Sequence, residues 1–132
     1  LLARWRLVRY LVKRDGLENK VSDCLFCKIV SGDIPASIVR KTDRVTVFKD
    51  IAPEAPIHLL VIPNQHFANM AEVSANEPAL VGEMISVADQ VATELGLSSY
   101  RTNINTGAGA GQSVFHAHLH LLGGRAFGWP PG

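Results

Sequence analysis

Five histidines and two cysteines are the side chains of this 132-residue sequence best equipped for chemistry. Three of the histidines fall in one short window, His116-Ala117-His118-Leu119-His120. On a strand, successive side chains point to opposite faces, so this alternation places three imidazoles on one face, neighbours roughly 7 Å apart. Ala117, Leu119 and Leu121 then point the other way, into a core. One histidine on an apolar strand is commonly structural; three in strict alternation each demand polar partners for two ring nitrogens. Two chemistries use such a row. Imidazoles at i and i+2 can chelate a transition metal, as in a three-histidine catalytic zinc site. Alternatively, one imidazole acts as a nucleophile while its neighbours orient it and bind a transferring phosphoryl group.

The loop before the histidines favours the second chemistry. Residues 105–113 hold Gly107, Gly109 and Gly111, which allow backbone N–H groups to approach an anion. Asn105, Gln112 and Ser113 add side-chain donors. The loop matches neither a Walker A nor a Rossmann fingerprint. Its place directly ahead of the triple-histidine segment makes phosphoryl or nucleotidyl transfer the leading expectation. Cys24-Leu25-Phe26-Cys27 is a C-x-x-C, compatible with zinc, redox chemistry or inert core thiols. A redox pair belongs after a strand at a helix start in a βαβ unit, which the flanking sequence does not suggest. A closed zinc site needs two further ligands from elsewhere in the chain.

Positioning these groups requires a small mixed fold. Residues 24–31 predict a short helical turn stopped by Gly32. The β-rich runs 36–41 and 44–49, with Thr42-Asp43 between them, predict a hairpin. A proline-containing loop, residues 50–56, leads to an apolar strand over 58–62 that stops at Pro63. Leu80, Val81, Met84, Ile85, Ala88, Val91, Ala92 and Leu95 fall at i, i+3, i+4 spacing and predict one long helix. Ser74 and Glu77 have capping-box spacing, Pro78 suits the first turn and Gly96 the exit. Strands over 100–105 and 114–122 complete the domain. Short connections favour an α+β fold with an antiparallel sheet and helices on one side.

Composition excludes other classes. The hydrophobic fraction is 47% and the charged fraction 19%, so a largely disordered chain is ruled out. A formal charge of +1 gives no general drive toward nucleic acid or an anionic membrane. Charge is uneven, however: residues 1–20 carry six basic and two acidic side chains. Leu1, Trp5, Val8 and Val12 recur among them at helical spacing, which suits a targeting remnant or membrane-surface anchor, or, as the expectation favoured here, a plain extension or a helix packed on the domain. No run approaches the ~18 apolar residues that span a bilayer. Without an apolar secretory region, a reducing, cytoplasmic compartment is the expectation.

His116-Ala117-His118-Leu119-His120-Leu121-Leu122 resembles the histidine triad signature of the HIT superfamily. Asp23-Cys24-Leu25-Phe26-Cys27-Lys28-Ile29-Val30, Gly32-Asp33-Ile34-Pro35-Ala36, Asp50-Ile51-Ala52-Pro53, His58-Leu59-Leu60-Val61-Ile62-Pro63, Gly111-Gln112-Ser113-Val114 and Trp129-Pro130-Pro131-Gly132 are similar to its Hint branch. The resemblance runs through residues 22–132, so the expected organisation is a basic extension over 1–20 and a HIT domain over 21–132. It implies a five-stranded antiparallel sheet with one long helix and a short N-terminal helix. It also implies a homodimer in which two sheets join as one of ten strands.

The activity so implied is hydrolysis of purine nucleoside phosphoramidates: cleavage of the P–N bond of AMP-amine conjugates through a nucleotidyl-histidine intermediate. His118 is the implied nucleophile, His120 and His116 flank it on the phosphate, and His58 orients the triad from behind. Ser113 donates to the leaving nitrogen. Asn105 contacts phosphate beside Gly111 and Gln112. Phe26, Ile34, Phe48, Asp50, Ile51 and Leu60 line the nucleoside pocket, with Asp50 on the ribose hydroxyls. Relatives that bind zinc through such a cysteine pair imply a structural zinc on Cys24, Cys27, His66 of Pro63-Asn64-Gln65-His66, and His116, with no organic cofactor. Alternatives are dinucleoside polyphosphate hydrolysis, nucleotidyl transfer, a catalytic metal on the triad, or a nucleotide- or zinc-binding interaction module.

Overall fold

The computed structural model describes residues 23–132; the expectations for residues 1–20 lie outside them. In chain order the elements are α1 (Leu25–Ser31), β1 (Ile38–Lys41), β2 (Val45–Lys49), β3 (Ile57–Pro63), α2 (Met70–Asn76), α3 (Pro78–Glu94), β4 (Arg101–Asn103) and β5 (Leu119–Gly123). A single 3-10 turn, Ala108–Ala110, lies between β4 and β5. The five strands form one antiparallel sheet in the order β1-β2-β3-β5-β4. The sheet, the long helix and the short N-terminal helix are those the resemblance implies.

Alternation along the central strands divides the molecule into two layers. Val45, Val47, Leu59, Val61, Leu119 and Leu121 face α2 and α3 and form the main core with Met84, Val87, Ala88 and Val91. Phe48, Leu60 and Ile62 face the opposite way and pack against Cys24, Phe26 and Ile29 of the α1 region. Helices therefore cover both faces, not one: α1 caps the face that α3 leaves open. His58 and His120 project from this second face, in register with its apolar residues, since Leu60 pairs with His120 and His58 with Leu122.

The observed helix caps differ from the expected ones. Ser74 lies inside α2, and Glu77 is the N-cap residue of α3 without a side-chain cap bond, so the two form no capping box. The side-chain cap belongs to α2. The Glu72 amide donates to Asn69 Oδ1 at 2.9 Å, and the Ala68 amide donates to the Glu72 carboxylate at 2.7 Å. Pro78 does occupy the first turn of α3. At the exit, the Gly96 amide donates to Thr93 and the Leu97 amide to Ala92, a Schellman ending made possible by Gly96 at φ 77°. The buried stripe is centred on Met84, Val87, Ala88 and Val91, while Ile85 and Leu95 are exposed. The last strand also starts later than expected, at Leu119, so His116 and His118 precede it.

Candidate active site and metal cluster

The expected residues other than Asn105, Gly111 and Gln112 assemble into two adjoining sites joined at His116. The first is a cavity of about 360 Å³ on the α1 side of the sheet. Phe26, Ile34, Phe48, Ile51 and Leu60 line its apolar part, and Asp50, His58, Ser113, His118 and His120 its polar part. α1 delivers Phe26, whose ring meets Phe48 and His118 edge-on at 5.3 and 5.4 Å between centroids. Gly32 ends that helix at φ 87°, and the chain folds back with the Ile34 amide on the Lys28 carbonyl. That turn brings Ile34 to the cavity. Ile51 is unusual among large apolar side chains in being 81% exposed.

Hydrogen-bond polarity assigns the three cavity imidazoles, His58, His118 and His120, a tautomer. The Glu54 amide donates to His58 Nδ1 at 3.0 Å, so His58 in its neutral form carries its proton on Nε2. That Nε2–H donates to His120 Nδ1 at 2.9 Å, with the Asp50 carboxylate 3.4 Å away. His120 in turn keeps its proton on Nε2. His118 Nδ1–H donates to the His116 carbonyl at 2.8 Å, which leaves the lone pair on His118 Nε2. Burial pushes the His118 pKa below its ordinary value, opposed by the bond to the His116 carbonyl. Burial, followed by neighbouring His118 and His58, pushes His120 down to about 4. At neutral pH the pair is therefore uncharged: one nucleophilic nitrogen and one donor, with ring centroids 5.1 Å apart.

The glycine-rich loop differs from the expected anion cradle. The Ala110, Gly111 and Gln112 amides donate to carbonyls within the loop, and the Gly107 amide donates to Gln112 Oε1. Gln112 is buried and spends its two amide N–H groups on the Ala68 and Val114 carbonyls. Its side chain thus braces the loop against the segment after His66 instead of facing an anion. The Asn103 side-chain Nδ2 donates to Asn105 Oδ1 at 2.9 Å, and Gly111 lies beside the Asn105 side chain. Of these loop residues, Ser113 lines the cavity together with Val114.

The second site gathers Cys24, Cys27, His66 and His116, whose ligand atoms all lie within 4.8 Å of one another. Cys24 caps α1, its Sγ accepting from the Cys27 amide, so both thiols lie on the first helical turn. The Ala117 amide donates to the Phe67 carbonyl, tying the His66 segment to the His116 segment. Sγ to Nδ1 distances are 3.3 Å for Cys24–His116, 3.4 Å for Cys27–His66 and 3.5 Å for Cys27–His116. A tetrahedral zinc with bonds of about 2.3 Å to sulfur and about 2.0 Å to nitrogen has edges of similar length.

Ring orientation supports the same fit. His116 Nε2–H donates to the Pro63 carbonyl at 2.8 Å, leaving Nδ1 unprotonated toward the thiols, the arrangement of a supported metal ligand. His66 Nε2 is buried without a protein partner among the described residues. The thiol hydrogen bond from Cys27 holds Cys24 well below the ordinary thiol range, with His116 and His66 adding to the effect against burial. Cys27 is pushed up by Cys24 and burial. A bound cation would favour both cysteines as thiolates. The His116 ring is fully buried, with Nδ1 toward Cys24 and Nε2 on the Pro63 carbonyl. Its carbonyl acts on His118.

Sequence reasoning did not identify Glu54, whose backbone amide sets the His58 tautomer. A main-chain donor leaves no signature in residue type.

Relatives share this architecture. A model of the HIT domain matches residues 31–127. The purine nucleoside phosphoramidase of Escherichia coli K12 is 44% identical over 108 residues, covering 80% of this chain and 91% of its own. A HIT-like protein of Synechococcus elongatus is 49% identical over 111 residues, covering 83% and 97%. A solved HIT family hydrolase from Legionella pneumophila superposes with a TM-score of 0.79 at 46% identity, covering 83% of this chain and 99% of that one. The corresponding hydrolase from Clostridium thermocellum gives 0.77 at 42% identity, covering 86% and 96%.

Proposed function

This chain belongs to the HIT domain family, and from that premise we propose that it hydrolyses purine nucleoside phosphoramidates, releasing AMP and a free amine from AMP-amine conjugates. One observation carries the reading: His118 Nδ1 is committed to the His116 carbonyl, so the Nε2 lone pair is available beside a cavity of nucleoside size. The phosphoramidase name of the Escherichia coli relative supports this substrate class.

His118 Nε2 attacks phosphorus, the P–N bond breaks, and the amine departs with a proton supplied from the Ser113 side of the cavity. His120 Nε2–H donates to the phosphoryl oxygens, steadied by His58 through its Nδ1. Water then attacks the nucleotidyl-His118 intermediate, breaking the new P–N bond and releasing AMP. Dividing one displacement into two lowers the barrier of each. Neutral imidazoles serve this order because His118 must present a lone pair at pH 7. Phe26, Phe48 and Leu60 enclose the base and sugar, and Asp50 accepts from the ribose hydroxyls. Asn105, with Gly111 nearby, borders the phosphate.

The donor set of the second cluster and the His116 tautomer fit zinc. Cys24, Cys27, His66 and His116 would hold it as a structural ion whose chemistry is to crosslink α1 to the sheet. A reducing compartment, the cytoplasm, suits a site that needs both thiols free. Among the described residues no helix is long and apolar enough to cross a membrane. Two copies would pair through α3 and edge strand β4, extending the sheet to ten strands.

The test is to mix the protein with adenosine 5′-phosphoramidate conjugates, quench during turnover and locate the adduct by mass spectrometry. An adenylyl group on His118, and its loss together with turnover in His118→Ala, is the expected result. Full turnover by His118→Ala would overturn the reading.

A further inference from the structure

The carbonyl of Glu54 accepts two hydrogen bonds from a single guanidinium far along the chain. Arg125 Nε donates at 3.1 Å and Nη2 at 3.0 Å. A third donor, Nη1, is bound to the Ala126 carbonyl at 3.0 Å, and Phe127 stacks on the guanidinium at 4.3 Å. Arg101 of β4 also meets Phe127, at 5.1 Å, and donates to the Gly128 carbonyl. The tail after β5 is thus fastened to the sheet edge at one end and to the loop 50–56 at the other.

The route of the chain makes this contact possible. Gly124 has φ +88°, and a Cβ built there would lie 2.9 Å from Pro56. Only glycine lets the tail pass so closely over the loop. Within Pro53-Glu54-Ala55-Pro56, the prolines lack N–H groups, so Glu54 and Ala55 supply all the backbone donors. The Glu54 amide is the one that binds His58 Nδ1, at 3.0 Å. Its carbonyl, on the other side of the same Cα, is the group Arg125 grips. A bidentate, planar clamp restricts rotation of that residue more than a single donor does.

We infer that Arg125 is a positioning residue for the histidine relay. It holds Glu54 so that the Glu54 amide occupies His58 Nδ1, which directs the His58 Nε2 proton to His120 and keeps the His120 Nε2–H for the cavity. The inference rests on the proposed hydrolase reading for its kinetic consequence, but not for its structural one.

The experiment records histidine ring tautomers by long-range proton–nitrogen spectra of nitrogen-15-labelled full-length protein, alongside kcat and KM for adenosine 5′-phosphoramidate. Wild type, Arg125→Ala and Arg125→Lys are compared at pH 7.5. In the wild type, His58 carries its proton on Nε2. In Arg125→Ala it populates both nitrogens, while His118, held by the His116 carbonyl, stays protonated on Nδ1 and reports an intact fold. kcat falls by about tenfold, the scale of a slightly misplaced catalytic group. Arg125→Lys, offering one prong, gives an intermediate mixture and partial recovery of kcat.

A His58 that keeps the Nε2 proton in Arg125→Ala overturns the inference, even if activity falls. Should Arg125→Ala fail to fold, Arg125→Lys decides: a wild-type His58 tautomer there overturns it equally. A wild type inert toward phosphoramidates would count against the proposed function alone, since the tautomer comparison needs no substrate.

Discussion

The His116 carbonyl accepts the Nδ1–H of His118 at 2.8 Å, while the ring of the same His116 points its Nδ1 at Cys24 Sγ, 3.3 Å away. One residue therefore belongs to two sites, with its side chain in the thiol cluster and its main chain on the nucleophile. Anything that shifts the cluster shifts the group that sets the His118 tautomer.

Removing a cluster ligand is expected to act mainly on stability. Protein purified with zinc should contain about one ion per chain, and Cys24→Ser should lose it. A ligand that binds only the folded state at about 100 times its Kd adds about 2.7 kcal/mol, so Tm should drop clearly in the variant and after chelation. Because His118 is not a cluster ligand, kcat should fall by less than about tenfold, through loosened positioning alone. Elemental analysis, thermal unfolding and turnover on the same samples check this. Complete loss of turnover with an unchanged Tm would assign the metal a catalytic role.

The depressed histidines predict a specific pH dependence. Burial, with His118 and His58 nearby, brings the folded His120 pKa to about 4, below the unfolded value of about 6.5. Between those values the unfolded chain binds more protons than the folded one, so stability falls as pH falls through this window. Urea unfolding at pH 7 and pH 5 should show a larger loss in wild type than in His120→Asn. Since the His118 pKa is lowered in the same direction, kcat/KM should stay level from pH 7 to below 6.5 before its acid limb begins.

Gly124→Ala should be costly despite adding one methyl group. It combines φ +88° with an approach of 2.9 Å to the Cβ of rigid Pro56. The left-handed conformation alone costs an L-residue about 1–2 kcal/mol. Chemical denaturation should register at least that loss, with kcat reduced because the loop bearing Asp50 and Glu54 is displaced. Gly128→Ala, where the same methyl meets open space, is the control and should be near neutral.

Self-association through α3 and β4 would cover Ile85, Tyr100 and Ile104, each of which is exposed in the single chain. Light scattering after size exclusion should give twice the 14.3 kDa chain mass. Ile85→Glu places a charge in that apolar contact and should yield monomers at micromolar concentration. A monomeric wild type would refute the pairing.

Much of the architecture was legible in local sequence pattern. Pro78 and Gly96 mark where α3 starts and stops, because a missing N–H and a positive φ are properties of those residues alone. Ala117, Leu119 and Leu121 do point into the core, as their alternation required, although pairing begins only at Leu119. The C-x-x-C by itself left zinc, redox and inert thiols open; the set Cys24, Cys27, His66 and His116 came from the family resemblance, and the fold gathers those four within 4.8 Å. The short helix α2 has no signal in the sequence reading: its seven residues span only about two turns, too few to show a period, and its cap is made by Asn69 and Glu72, not by Ser74 and Glu77.

What sequence indicated by itself, then, was which residue types could do chemistry, and that Ala117, Leu119 and Leu121 turn into the core. Tertiary structure decided how each imidazole is turned and protonated. The His116 ring is oriented by a carbonyl 53 residues away, His58 and His120 meet across 62 residues, and Arg125 reaches Glu54 across 71. Those partners are mostly backbone carbonyls and amides, which every residue possesses, so no residue type announces them. Only the folded chain brings a particular carbonyl to a particular ring, and with it selects the nitrogen that keeps its lone pair.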